Sequence, residues 1–473
     1  MALAFLTGKP GPRIVGISPL VKTQFKIWDR AFVIPGLTVT QREHFRAAVD
    51  FEVLTASVPP PSMGIATDLR SRLLLTLAPS IDPCFIIGAL SGLRGVELVE
   101  PVPALYGPAR GHLTDIPRSD SAFATLKVTN DEVATWMHTL TARPDEWDSV
   151  QTANIAILDS GALDTHPIFG DNGFGNGIIK PDHDWFPRDL TDKYGHGTHV
   201  ASEIVGRDLG PNLLGLPKGV LPQSQALCFN IFRTQPNSNG DFEINISAFY
   251  TALYTIRLKQ RVAVINMSIW MKDEPSETIL REFAKVDAAG IVIVACAGNN
   301  FDGTTNLPLG KDSAYRVLYP ARLPNILSVG AINGSSLRAE FSRFSSWNTN
   351  GRDGNDYFAK DAGRWPLVDV VAPGVKVWGA AAATGTLITP HRTDGNFGAV
   401  RLKGTSMAAP YVTAGIAAIR VSPKWASASA EEVRQLVRTS VAAIPGQTSL
   451  FPQSRELFGT GLLDYAALIT NSL

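Results

Sequence analysis

Residues 154–161 read NIAILDSG: four consecutive apolar side chains, Ile155, Ala156, Ile157 and Leu158, run into an acid, Asp159, and a tight turn through Ser160 and Gly161. A run this short, rich in β-branched residues and stopped abruptly, has the make-up of a strand buried on both faces. Similar runs recur at 262–265, 291–294, 326–329 and 368–371, and helix-like stretches fill the intervals at 246–258, 278–289 and 413–420. Strands alternating with helices predict an α/β domain, a mostly parallel sheet with helices on both faces. Sheets of this kind place reactive groups at strand ends and helix starts.

The chain has 473 residues, which suits one large domain with a smaller companion. Its first hundred residues read as a small α+β unit, with strands at 23–33, 73–77 and 96–99 and helices at 40–49 and 84–93. A stretch carrying Pro101, Pro103, Pro108 and Pro117 follows and reads as an exposed connector. The expected divisions are 1–105 for the small unit, 106–145 for the connector and 146–473 for the large domain.

Lys plus Arg and Asp plus Glu number 43 each, so the chain lacks the basic excess that nucleic-acid partners require. Charged residues at 18% and apolar residues at 45% describe a folded globular protein. No apolar stretch reaches the roughly 18 residues of a spanning helix, so no membrane partner is expected. The three cysteines, Cys84, Cys228 and Cys296, are too scattered for a disulfide framework and read as buried thiols. The start MALAFL precedes its first cation, Lys9, the reverse of a secretory signal, and a cytoplasmic location is the expectation.

Three segments put a reactive side chain beside small residues at an element boundary: Asp159 in DSG, His196 in YGHGTHVA at 194–201, and Ser406 in RLKGTSMAAP at 401–410. A serine becomes a useful nucleophile only when a base takes its proton, and the base needs a third group to fix its tautomer. Asp159, His196 and Ser406 supply those roles, although they lie far apart in the chain. Pro410 is expected near the first turn of the Ser406 helix, where a missing N–H is tolerated. A zinc site on His196 and His199 fails, because the HExxH pattern needs histidines at i and i+4 around a Glu. Asp182, His183 and Asp184 read as a solvated loop, as do Asn300, Asp302 and Asn306.

Taken together, DSG at 159–161, GHGTHVA at 195–201 and GTSMAAP at 404–410 resemble the three active-site blocks of the subtilisin-like serine proteases, the subtilase family, in the same order. VACAGNN at 294–300 is similar to the segment bearing that family's oxyanion-hole asparagine, which maps to Asn299. INMSIW at 265–270, LYPARLPNILSVGA at 318–331 and VDVVAPG at 368–374 are further likenesses. The resemblance implies a serine endopeptidase acting on proteins or peptides through Asp159, His196, Ser406 and Asn299, with no cofactor. The amino-terminal unit, ending in GLRGVELVEP at 92–101, resembles the family's inhibitory propeptide, which implies an intramolecular inhibitor whose last residues lie in the cleft. A catalytically inactive subtilase fold used for binding or regulation is the alternative.

The likeness breaks at the substrate pocket. The implied pocket residues are Ser268, Ile269, Trp270, Met271 and Leu318, and the last three replace positions at which the family commonly has glycine. All three add volume where a substrate side chain would enter, so specificity does not carry over. An acid that commonly serves a calcium site follows the family's His-Pro pair, whereas here His166 and Pro167 are followed by Ile168, which offers no oxygen. No metal site is therefore expected there.

Overall fold

The structure is a computed structural model. It describes residues 12–17, 49–53, 72–77, 96–101 and 105–106, and from 136 to 473 all but 171–174, 182–190, 210–213, 233–242, 260, 272–274, 300–316, 335, 337, 340, 345–367 and 445–457. The described residues belong to two compact units.

The first unit contains a four-stranded antiparallel sheet made of β1 (Pro12–Ile17), β2 (Val49–Val53), β3 (Arg72–Leu77) and β4 (Val96–Pro101), in the order β2-β3-β1-β4. Strands β3 and β4 coincide with those expected at 73–77 and 96–99. Strand β1 carries only one alternating apolar pair, in PRIVGI, and the sequence pattern did not suggest it. Val49, expected to end a helix, starts β2 instead. The expected strand at 23–33, the rest of the helix at 40–49 and the helix at 84–93 lie outside the described residues.

In the second unit the chain runs through β5 (Leu105–Tyr106), β6 (Ile155–Asp159), β7 (Ile178–Ile179), α1 (His196–Val205), β8 (Ala226–Asn230), α2 (Ile246–Lys259), β9 (Val264–Met267) and β10 (Trp270–Met271). It continues through α3 (Glu277–Ala288), of which Phe283–Ala288 belong to this unit, β11 (Val292–Cys296), β12 (Leu327–Ile332), β13 (Val370–Pro373), β14 (Val377–Ala382), β15 (Arg392–Asp394), β16 (Phe397–Leu402) and α4 (Thr405–Ile419). The last elements used below are α5 (Ala430–Thr439), β17 (Val441–Ala442), β18 (Leu462–Leu463) and α6 (Tyr465–Ser472). Each apolar run expected here to be a strand is one, with its ends displaced by up to three residues.

Nine strands form one sheet in the order β17-β18-β13-β12-β11-β9-β6-β8-β7, and every ladder is parallel except that of β17 with β18. Every residue of β6, β9, β11, β12 and β13 is buried, which requires cover on both faces and explains their continuous apolar runs. Helix α4 packs across β9, β11, β12 and β13 and also against α1, and α2 packs on β6.

From β6 the chain first builds outward through β7 and β8, then returns past β6 to lay down β9, β11, β12 and β13. The order therefore reverses between β6 and β9, and a crevice opens beyond the carboxyl ends of strands at such a switch point. Asp159 ends β6, and Ser268 directly follows β9. The stretch read as connector is partly built into this unit. The Tyr411 hydroxyl meets Met137 Sδ at 2.8 Å, and Tyr465 N–H donates to Thr141 O at 2.8 Å.

Candidate active site

At the switch point, α1 delivers His196 as its first residue. The turn before it needs Gly195, whose φ of 94° is left-handed. The next position must be glycine for a different reason: a Cβ on Gly197 would lie 2.1 Å from Gly161 O and 3.2 Å from Asp159 Cβ. The GHG triplet thus lets the helix start press against the DSG turn.

The contact formed is a fully buried pair, with His196 Nδ1 2.8 Å from Asp159 Oδ1 and 3.0 Å from Oδ2. A carboxylate only accepts, so the hydrogen of this contact is carried by Nδ1. Nε2 is buried and has no hydrogen-bond partner among the described residues.

Asp192 ties the two segments together. Its carboxylate accepts from the Ser160 hydroxyl at 2.8 Å, from Tyr194 N–H at 3.2 Å, from Gly195 N–H at 2.6 Å, and from Thr198 N–H at 2.8 Å and its hydroxyl at 2.6 Å. Ser160 Oγ in turn accepts from Gly197 N–H at 2.9 Å. The sequence reading missed Asp192 and Ser160; an acid four residues before a buried histidine at a helix start was the available signal.

Ser406 is the second residue of α4 and is buried. Pro410 lies just beyond the first turn of α4, inside the helix. Its missing N–H would have bonded Ser406 O, four residues back. Ser268 replaces that donor, its hydroxyl reaching Ser406 O at 2.8 Å, so a residue beyond β9 satisfies the nucleophile helix. The Ser406 hydroxyl lies 3.5 Å from Ser268 O and 4.0 Å from Cys296 Sγ. Cys296 is a free, buried thiol, and burial raises its pKa to about 11. Cys228 is also free and buried, whereas Cys84 lies outside the described residues.

Asn299 follows β11 and is half-buried. Thr405 N–H and its hydroxyl both donate to Asn299 Oδ1 at 2.9 Å, and Gly298 N–H donates to Thr405 Oγ1 at 3.1 Å. An N–H needs an acceptor, so this network fixes the amide with Nδ2, its donor end, pointing away from Thr405.

The pocket residues also gather here. Ser268, Ile269 and Met271 are wholly buried, and Trp270 is half-buried. Leu318 lies against Gly298, where an added Cβ would be 2.7 Å from Leu318 Cδ1. Met271 N–H donates to Tyr319 O at 2.6 Å. On its other side, β10 pairs antiparallel with β5, with Trp270 opposite Tyr106 and Met271 opposite Leu105. Ile168, beyond the His-Pro pair, is an apolar core residue whose N–H donates to His166 Nδ1 at 3.2 Å. Residues 182–184, 300, 302 and 306 lie outside the described residues.

The model of the Subtilase family matches residues 151–461. The major intracellular serine protease of Bacillus subtilis is 28% identical over 281 residues, 59% of this chain and 72% of that protein. The intracellular serine protease of Paenibacillus polymyxa is 28% identical over 329 residues, 69% of this chain and 83% of that protein. Among solved structures, fervidolysin from Fervidobacterium pennivorans, a keratinolytic enzyme related to subtilisin, superposes with a TM-score of 0.61 at 18% identity. That superposition covers 98% of this chain and 62% of fervidolysin, and it shows the shared fold. With the family model spanning most of the chain, and with homologous serine proteases covered over most of their own length, the chain belongs to the subtilase family of serine peptidases.

Proposed function

We propose that the chain is an endopeptidase that cleaves peptide bonds through an acyl-enzyme on Ser406. The observation that carries this reading is the buried Asp159–His196 pair, which orients the imidazole through Nδ1 and leaves Nε2 without a hydrogen-bond partner among the described residues. In the reaction, Nε2 of His196 takes the hydroxyl proton as Ser406 Oγ bonds to the substrate carbonyl carbon. Asp159 holds the tautomer and stabilises the imidazolium. The tetrahedral oxyanion accepts from Asn299 Nδ2 and from the Ser406 backbone N–H. The C–N bond then breaks, the amine leaves with the proton from Nε2, and water repeats the sequence to release the acid. Serine with an intact base and oxyanion donor favours this over an inactive binding module.

Substrate is read as an extended peptide along the edge of β10, with Ser268, Ile269, Trp270, Met271 and Leu318 around the side chain next to the cut. The pairing of Leu105–Tyr106 with that edge supports the amino-terminal unit as an intramolecular inhibitor. A cytoplasmic location is also proposed, on the strength of two relatives named intracellular proteases. No helix among the described residues is long and apolar enough to cross a membrane.

The test is labelling with a serine-directed fluorophosphonate, combined with hydrolysis of a denatured protein. Label on Ser406, and loss of both signals in Ser406→Ala, is the expected result. Undiminished hydrolysis by Ser406→Ala sinks the mechanism, and an unlabelled, inert wild-type chain favours the binding module.

A further inference from the structure

Behind His196 the same face of α1 carries His199 and Glu203, one and two turns further on, both completely buried. His199 lies flat on β14: a Cβ on Gly379 would come within 2.6 Å of its ring carbons. Its Nε2 is 3.2 Å from Val377 O, and its Nδ1 is 2.8 Å from Glu203 Oε1. The adjoining contact of α1 with β14 is Ala380 N–H donating to Ser202 Oγ at 2.9 Å.

The protons on this pair follow from the partners. Val377 O only accepts, so His199 Nε2 must carry hydrogen. Two arrangements then fit Nδ1: an imidazolium facing a carboxylate, or a bare nitrogen accepting from a neutral carboxylic acid. Glu203 Oε2 decides between them. It is buried without a hydrogen-bond partner among the described residues, which is tolerable for the carbonyl oxygen of a neutral acid and costly for a charged carboxylate.

The surrounding groups agree. Those that couple to Glu203 are Asp159 at the end of β6, Tyr411 on α4 and Tyr465 on α6, and His196 couples to His199. None of the first three supplies positive charge. Burial raises the Glu203 pKa well above its ordinary value and lowers that of His199 to about 3.

We propose that Glu203 is a positioning residue for the base: as a neutral acid it donates to His199 Nδ1, keeps His199 Nε2–H docked on Val377 O, and so fixes the helix that begins with His196. A neutral pair also leaves Asp159 as the carboxylate whose charge faces the imidazolium formed during reaction. That α1 carries a working base rests on the proposed function; the protonation of the pair does not.

Two measurements on the full-length chain test this. In Ser406→Ala, ¹⁵N NMR of the imidazoles between about pH 5 and 8 should find His199 protonated at Nε2 and bare at Nδ1 throughout. Both nitrogens protonated in that range would overturn the neutral pair. In the active chain, Glu203→Leu should lower kcat by on the order of tenfold or more with little change in KM, because α1 shifts rather than the substrate groove. Glu203→Gln, whose amide still donates to Nδ1, should restore it. A Gln variant as impaired as Leu, or a Leu variant with undiminished kcat, refutes the positioning role. Should Ser406→Ala retain full activity, the serine mechanism falls while the NMR result still decides the pair.

Discussion

Tyr106 stands opposite Trp270 in antiparallel register, and Leu105 opposite Met271, so the chain's own backbone already occupies the strand edge that leads to Ser268. On the proposed reading an incoming peptide would have to displace this segment, and because it is tethered at high effective concentration even weak contacts would inhibit. Removing residues 1–106 is expected to raise kcat/KM on a short peptide. Mass spectrometry of the untrimmed chain should find an amino terminus between Tyr106 and Asp120 that is absent from Ser406→Ala. An intact chain as active as its trimmed form would rule out both processing and inhibition.

Asn299 offers a prediction about rate. Its Oδ1 is held by two donors from Thr405, which leaves Nδ2 as the free donor end. Asn299→Ala should therefore lower kcat with KM nearly unchanged, since the lost bond forms only in the transition state. The equivalent loss in subtilisin is about 2.7–4 kcal/mol, a magnitude that belongs to that protein. Stopped-assay kinetics reporting less than a tenfold loss would remove Asn299 from the oxyanion site.

Leu318 bears on specificity. Its Cδ1 packs where a Cβ on Gly298 would lie, next to Asn299, and Met271 in β10 is wholly buried. Small side chains before the cut are the expected preference. Leu318→Gly should shift kcat/KM toward phenylalanine over alanine in otherwise identical tetrapeptide anilides. A wild-type enzyme that already prefers phenylalanine would show that Leu318 does not narrow the pocket.

The sequence made the reacting groups legible because each sits in a run whose small residues have one purpose: Gly197 admits the Asp159 turn, and Gly195 supplies a left-handed start. Pairings across the fold were not legible. Nothing near Pro410 announces that Ser268, 138 residues from Ser406, supplies the donor the proline lacks. Strand limits were blurred as well: the run at 262–265 became Val264–Met267, because apolar character marks burial and not which residues enter a ladder. Strands Pro12–Ile17 and Ala226–Asn230 stayed hidden, since their short runs mix glycine, cysteine or polar residues and find their partners only in three dimensions. Glu203 carried no signal in the sequence, and only the packing of α1 shows it to be buried.

Acid should destabilise the fold through two histidines, the half-buried His138 and the buried His166. Burial lowers the pKa of His138 to about 3 and that of His166 to about 4, from 6.5. Below 6.5 the unfolded chain binds a proton at each that the folded chain refuses, so stability falls as pH drops toward about 4. Each contributes a slope approaching about 1.4 kcal/mol per pH unit. His166→Asn keeps a side-chain acceptor for the turn at Ile168 but removes the titration. Urea unfolding should show a shallower pH dependence for this variant than for wild type, and parallel curves would refute the assignment.

Glu203 predicts the opposite limb. Its pKa is raised well above 4.5, so the folded chain keeps a proton that the unfolded chain releases once pH exceeds that value. Its contribution is fully present below about pH 4.5 and is lost as pH rises toward the folded pKa. Glutamine preserves the donor to His199 Nδ1 and places a carbonyl oxygen where Oε2 sits, with no proton to lose. Glu203→Gln should therefore be more stable than wild type at neutral pH, with an advantage that widens toward alkaline pH, as read from urea midpoints. An ion pair with His199 would give the reverse, because glutamine would then leave a buried imidazolium without its counter-charge. A Gln variant that is less stable at every pH would show that the pair is charged.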